Sequence, residues 1–286
     1  MIDLHTHTTF SDGSQTPAQL VGEAAAIGLT AVAVTDHDTV DGLPEALVAG
    51  ERLGIDVIPG VEINLEHDRV TMDMLGYFLA GDPTEELQQE LAELRVYRVE
   101  RNERMLERLT ELGLPLDAED LAAAAENGAV GRPHIGEAMV RRGYVSSITE
   151  AFELYLRRGA PAWVDRRRLG LSRALKLLRA SGALPVLAHP GIIRTDAAGL
   201  DHIVRDAART GLAGIECYYP LHDAETVARC LGLAGKYALV PTGGSDYHGT
   251  VKPKARLGVS YLGGPVPDGV LADLRCVAED QLQRLA

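Results

Sequence analysis

Short, almost wholly apolar runs alternate with longer amphipathic stretches along this chain. The runs Ile2–Leu4, Thr30–Thr35, Val57–Ile63, Thr71–Phe78, Leu184–Ala188, Gly214–Tyr218 and Ala238–Thr242 predict strands. Their near-continuous apolar character fits strands covered on both faces. Amphipathic helices are expected between them. One starts at Thr16-Pro17-Ala18-Gln19, where Thr16 can cap, Pro17 suits the first helical position and Gln19 closes a capping box. Gly28 then suits a left-handed stop. Strand–helix alternation of this kind predicts a parallel sheet, open or closed into a barrel.

The alternation breaks between about Pro83 and Trp163. Leu87, Leu91 and Leu94, then Met105, Leu109 and Leu112, recur at helical spacing until Gly113 and Pro115 stop the run. Further helices are expected over Ala118–Glu126, Pro133–Arg142 and Ser147–Leu156. The segment reads as a helical insertion, 83–163, within an α/β domain formed by 1–82 and 164–286. Its arginine row (Arg95, Arg98, Arg101, Arg104, Arg108) is expected to be a solvated helix face interleaved with glutamates. Phosphate binding is the competing reading of that row.

Composition narrows the function classes. The 286 residues suffice for one large α/β domain carrying an insertion. Lys and Arg number 28 against 41 Asp and Glu, leaving a net charge of −13. Such a field repels polyanions and argues against a broad nucleic-acid-coating surface, while leaving room for a small basic pocket. Cys217, Cys230 and Cys276 have no ligand-like spacing, so neither a disulfide framework nor a thiolate zinc site is expected. No apolar run reaches the ~20 residues of a membrane helix. The expectation is a soluble, cytoplasmic protein.

Candidate chemistry clusters where apolar runs end. In Asp3-Leu4-His5-Thr6-His7, residues two apart on a strand aim two imidazoles into one space. An apolar core gains nothing from that pair, whereas a divalent metal does. Asp12 follows in a Ser-Asp-Gly-Ser loop, where an aspartate also serves turns. Thr35-Asp36-His37-Asp38 caps the next run, and Glu62 lies among aliphatics in Gly60-Val61-Glu62-Ile63. A carboxylate buried there without a partner would cost several kcal/mol. Ala188-His189-Pro190 and Gly244-Ser245-Asp246-Tyr247-His248 complete the series. Strand after strand ending in His, Asp or Glu points to a polynuclear metal centre.

These motifs, in this order and spacing, resemble those of the PHP (polymerase and histidinol phosphatase) family, in particular its stand-alone phosphoesterases with a helical insertion. The resemblance spans nearly the whole chain. It implies a distorted (β/α)7 barrel with an inserted small α-helical domain, and two or three divalent ions (Mn²⁺, Fe²⁺ or Zn²⁺) at the carboxyl ends of the strands. His5, His7, Glu62 and Asp246 would hold one metal, and Asp12, His37 and His248 another. Glu62 would bridge to a third, shared with His189 and a residue before Leu75-Gly76. Relatives commonly carry histidine at that position, whereas this chain has Asp73, a harder and anionic ligand.

Gly131-Arg132-Pro133-His134 opens a helix, and by the same resemblance Arg132 and His134 would clamp a substrate phosphate; the plain reading of Arg132 is a helix start without a ligand. His222 follows Tyr218-Tyr219-Pro220-Leu221 and is read either as lining the site or as standing apart from it. Where some relatives carry a lysine, this chain has Ala160, and Arg157, Arg158 or Arg166 are the candidate substitutes. His67 and His202 read as surface residues.

The implied activity is metal-dependent hydrolysis of phosphate esters by a water activated between the metals. The implied substrate is a small phosphorylated molecule or short oligonucleotide: a nucleoside 3′,5′-bisphosphate, an RNA 5′ end or a cyclic ribose phosphate. The alternatives are a histidinol-phosphate-type phosphatase, a metal amidohydrolase and a non-catalytic metal-binding module. Lys176, Lys236, Lys252 and Lys254 are the lysines of the chain, and none ends a candidate strand where a binuclear amidohydrolase needs its carbamylated lysine.

Overall fold

The computed structural model describes residues 1–117, 119–121, 130–267 and 269–285. Eight strands form one sheet: β1 (Ile2–Asp3), β2 (Ala31–Val34), β3 (Asp56–His67), β4 (Val70–Phe78), β5 (Leu169–Gly170), β6 (Ala183–Leu187), β7 (Gly214–Tyr218) and β8 (Val240–Gly243). The order around the sheet is β1-β2-β3-β4-β6-β7-β8, with the short β5 against β3. Its two edges meet just past β1 and β8, where His7 N–H donates to the Tyr247 carbonyl at 2.9 Å. The protein is thus a distorted (β/α)7 barrel of mixed α/β class.

The sheet is not parallel throughout, contrary to the strand–helix alternation. β4 runs antiparallel to both β3 and β6. The cause is local. β3 and β4 are joined by Asp68-Arg69 alone, both at positive φ (49° and 67°). That geometry makes a tight hairpin, and a hairpin reverses the chain where a crossover helix would have kept its direction.

Alternation along the strands builds two cores. Ala31, Ala33, Leu184 and Val186 join Leu4 and Tyr77 inside the barrel. Val32, Val34, Val61, Ile63 and Leu187 face outward to the helices. Val270, Leu274 and Ala278 of the Val270–Leu285 helix pack into the inner core. This helix plugs the end where the strands begin, with Arg275 Nη2 2.6 Å from Asp56 Oδ2. The opposite mouth, at the carboxyl ends of the parallel strands, is left for chemistry.

The Pro17–Ala26 helix starts at Thr16 with both capping-box bonds made. The Glu85–Glu111 helix corrects the reading of the arginine row. Its buried stripe runs Leu87, Leu91, Leu94 and then Arg98, Arg101 and Asn102 before returning to Met105 and Leu109. Two of the arginines therefore occupy core-facing positions, because at that point the helix crosses the barrel mouth rather than an apolar surface. Met105 and Leu109 pack with Ile135, Met139 and Leu156 from the Arg132–Arg141 helix and the wide π-type turns of Phe152–Leu156 into a separate small core. Of the helix predicted over Ala118–Glu126, only Glu119–Leu121 falls within the described residues, and the rest lies outside them. The three cysteines are free, and no described helix is long and apolar enough to cross a membrane.

Candidate metal centre and anion pocket

The strand ends deliver their polar side chains to one place. Glu62, fully buried in β3, is the hub. Its Oε2 lies 3.4 Å from His5 Nε2, 3.2 Å from His7 Nε2 and 3.1 Å from His37 Nδ1, and its Oε1 lies 3.0 Å from His189 Nε2. Asp246 Oδ1 is 3.8 and 3.4 Å from the same His5 and His7 nitrogens. Asp12 faces His248 Nε2 at 3.1 Å and His37 Nε2 at 3.9 Å. Three overlapping sets result, each with ligand atoms mutually within 4.8 Å: His7, Asp12, His37 and His248; His5, His7 and Asp246; His5, Glu62 and His189.

Asp73 stands at the edge of this group. Its Oδ2 is 3.9 Å from His189 Nε2, while Oδ1 accepts a 2.7 Å bond from Asn64 Nδ2. Asp73 and Thr71 line the cavity above the cluster, and Met72 and Met74 point into the outer core. Strand parity, undecidable from sequence, thus turns Asp73 toward the site.

These residues fit divalent cations by their own chemistry. His5 Nε2, His7 Nε2 and His37 Nδ1 are buried with no hydrogen-bond partner in the described structure. Each bare buried nitrogen costs about 1–3 kcal/mol, and all three aim at one carboxylate. Imidazole and carboxylate donors so arranged suit a borderline or moderately hard divalent ion. The electrostatics agree. Burial opposes charge on His7, but the nearby Asp246 and Glu62 carboxylates lift its pKa to about 9. At His37 burial prevails and takes the pKa down to about 3. Burial also opposes charge on Glu62 and Asp12, yet neighbouring imidazoles hold both well below the usual carboxylate range.

Strained backbone presents several of these groups. Asp38, His189 and Asp246 are non-glycine residues at φ 55°, 28° and 52°. Such conformations cost about 1–3 kcal/mol each and persist where surrounding contacts enforce them. The contacts are identifiable. Glu216, buried in β7, takes His5 Nδ1 at 3.1 Å with Oε1 and accepts the His189 N–H at 2.7 Å with Oε2. It thereby directs His5 Nε2 at the site and pins the strained His189 backbone. Asp36 accepts from Thr8 N, Thr8 Oγ1 and Ser11 Oγ at 2.7, 2.6 and 2.6 Å, fixing the loop that carries Asp12. Sequence reasoning missed Glu216, although an acidic residue inside the apolar run Gly214–Tyr218 was the available signal.

Above the cluster lies a cavity of about 440 Å³ with a basic lining. Arg98, Arg101, Arg132, Arg158, Arg166 and Arg168 reach it, together with Lys252. Asp38 pairs with Arg98 at 2.5 Å and Arg166 at 2.9 Å, and Lys252 pairs with Asp246 at 2.7 Å. No carboxylate among the described residues lies within ion-pair distance of Arg101 or Arg132. Burial first, and then the crowd of guanidiniums, pushes Arg101 down to about 8 and Arg132 to about 10. An anion would relieve both. Phe152 and Trp163 add aromatic walls, with the Arg132 guanidinium 5.6 Å from the Phe152 ring centroid.

Two residues expected near phosphate stand elsewhere. His134 does not line the cavity, because its Nδ1 accepts the Gly131 N–H at 3.0 Å and closes the start of its helix. His222 is likewise behind the site. Its Nδ1 donates to the Cys217 carbonyl at 2.9 Å and its Nε2 accepts from Gly191 N at 3.0 Å, so both nitrogens brace the loop after His189. Arg157 bonds the Glu153 carbonyl, whereas Arg158 and Arg166 reach the cavity.

Comparison with known proteins places this geometry in context. The family model described as PHP domain matches residues 3–141. The phosphoribosyl 1,2-cyclic phosphate 1,2-diphosphodiesterase of Eggerthella lenta is 35% identical, over 86% of this chain and 94% of its own length. The 3′,5′-nucleoside bisphosphate phosphatase of Chromobacterium violaceum is 31% identical, over 86% and 87%. A solved protein from Bifidobacterium adolescentis, assigned as a metal-dependent phosphoesterase, superimposes with a TM-score of 0.86 at 30% identity, covering 96% of this chain and 95% of the other.

Proposed function

This chain belongs to the PHP domain family and is a hydrolase of phosphoester bonds; from that premise we propose how its residues divide the work. The carrying observation is the stacking of two unlike layers, a histidine–carboxylate cluster below and a basic lining above in which Arg101 and Arg132 have no carboxylate within ion-pair distance among the described residues. One layer suits cations and the other a phosphorylated anion.

His5, His7, Glu62 and Asp246 are assigned to one divalent ion, and Asp12, His37 and His248 to a second. Glu62, His189 and Asp73 are assigned to a third. Bound there, Mn²⁺, Fe²⁺ or Zn²⁺ would supply Lewis acidity and a water ionisable near neutral pH. The chain's own part is placement. Arg101 and Arg132 receive the substrate phosphate, and their unrelieved charge is the reason for choosing them over the paired Arg98 and Arg166. Lys252, anchored on Asp246, sits where the two layers meet. Phe152 and Trp163 are positioned to hold an apolar or planar portion of the substrate out of water. Residues 83–163 act as an insertion that contributes Arg98, Arg101, Arg132 and Arg158 to the roof of the site.

The substrate class is a small nucleotide or ribose phosphate. A cavity of about 440 Å³ accepts a molecule of that size, and the basic lining inside a chain of net charge −13 restricts anion attraction to the mouth. The two curated relatives act on a cyclic ribose phosphate and on a nucleoside 3′,5′-bisphosphate, as their names state. The deciding experiment incubates the Mn²⁺-loaded protein with nucleoside 3′,5′-bisphosphates, cyclic ribose phosphates and 5′-phosphorylated oligoribonucleotides, and reads phosphate release. Turnover of at least one is expected. Full metal content with turnover of none would overturn the proposed substrate class.

A further inference from the structure

A second group of metal-competent side chains lies on the outer surface and takes no part in the proposed reaction. His67 ends β3 at the β3–β4 turn, and His202 and Asp206 stand one helical turn apart on the Ala197–Thr210 helix. His67 and Asp206 are 139 residues apart in sequence, yet His67 Nε2 is 3.3 Å from Asp206 Oδ2. His202 Nε2 is 3.5 Å from that same oxygen. The two rings stack with centroids 5.7 Å apart, and the three ligand atoms are mutually within 4.8 Å. Asp68 adds a further carboxylate, with Oδ2 3.1 Å from His202 Nε2 and 3.7 Å from His67 Nε2.

We propose that His67, His202 and Asp206 bind one Zn²⁺-class ion, separate from the catalytic centre, that ties the β3–β4 turn to the Ala197–Thr210 helix. Two imidazole nitrogens and a carboxylate converging on one small volume match the preference of borderline divalent ions, and water or Asp68 completes the shell. Hard ions such as Mg²⁺ and Ca²⁺ seek oxygen-only sites and are not expected here.

One neighbour competes with the metal. An Arg205 guanidinium N–H contacts His202 Nδ1, and Arg205 Nε is 3.4 Å from Asp206 Oδ1. Arginine can only donate, so this contact makes His202 Nδ1 an acceptor and leaves the proton of a neutral ring on Nε2. Metal ligation through Nε2 needs the opposite tautomer. Arg205 must therefore turn away when the ion binds, which its partly exposed position permits.

The test counts Zn²⁺ on the whole protein by equilibrium dialysis and follows melting as Zn²⁺ is added to Mn²⁺-loaded protein. The wild type should hold one equivalent more than His202→Ala and than His67→Ala, and only the wild type should gain melting temperature from that equivalent. Mn²⁺-dependent phosphate release should be the same in all three. Arg205→Ala, a change at an exposed side chain, should bind the additional ion several-fold more tightly. Equal Zn²⁺ content in wild type and both histidine variants overturns the site and leaves the cluster as an imidazole–carboxylate ion pair. Unchanged Zn²⁺ affinity in Arg205→Ala overturns it even if a histidine variant misfolds.

Discussion

Glu216 holds two parts of the histidine–carboxylate cluster with one carboxylate, and its replacement separates positioning from the ligation proposed for His5 and His189. Glu216→Gln keeps the size but offers only one acceptor oxygen, so either His5 Nδ1–H or the His189 N–H loses its partner. Groups of this kind typically alter metal affinity by 10–100-fold. The expected outcome is weaker metal binding in dialysis, with phosphate release recovered when metal is raised. A variant with wild-type metal affinity and activity would mean that Glu216 merely fills space. The same scale explains what the sequence could and could not convey. The motif Thr35-Asp36-His37-Asp38 is plain to see, but its members part company in space. Asp36 anchors the loop before Asp12, His37 joins the cluster, and Asp38 pairs with Arg98 and Arg166. Adjacent polar residues carry no mark of which direction each side chain takes. His134 and His222 show the same limit, since a histidine that caps a helix or braces a loop reads in sequence like one that meets a ligand.

The Glu85–Glu111 helix shows how one element serves both a core and a site. Its stripe is apolar where it meets the outer core and basic where it passes the mouth. The apolar spacing predicts the helix, but Arg98 and Arg101 fall on its buried stripe and not on the solvated face that their residue type suggests. The β3–β4 hairpin was hidden in another way, because its two left-handed turn residues are Asp68 and Arg69 rather than glycine or asparagine. Most strands, by contrast, were legible from their apolar runs, and the capping box at Thr16 fixed one helix start closely. The helix yields a paired prediction. Arg101→Ala should lower kcat/KM by at least ~10-fold, about 1.4 kcal/mol of lost transition-state stabilisation, with metal content unchanged. Arg104→Ala, whose side chain is exposed and pairs only loosely with Glu100 at 4.0 Å, should leave both at the wild-type level. Equal kinetics for the two variants would remove Arg101 from substrate binding.

Across the whole molecule, the barrel joins strands from both ends of the chain around a charge problem. β1 and β8 meet at the mouth, so His5 and His7 from the start of the sequence share space with Asp246 and His248 near its end. The recurrence of His and acid at successive strand ends made this assembly legible, because a closed barrel brings all its strand ends to one rim. The folded state therefore concentrates buried carboxylates and bare imidazole nitrogens that the unfolded chain leaves hydrated. Ions that bind only the folded cluster must stabilise it, by about 2.7 kcal/mol at a hundredfold excess over Kd. For a chain of 286 residues that corresponds to a melting shift of roughly 4–5 °C for each such ion. Chelation should accordingly abolish phosphate release and lower the melting temperature together, and returning Mn²⁺ should restore both. Phosphate added to the chelated protein should recover part of the melting temperature and none of the activity, because the arginine layer can take up an anion without the metals beneath it. If chelation removes activity while melting stays fixed, the ions add no net stability to the folded state, because they bind it weakly or bind the unfolded chain equally well. Glu216, Asp36 and the Asp38–arginine pairs would then bear the whole cost of gathering the ligands.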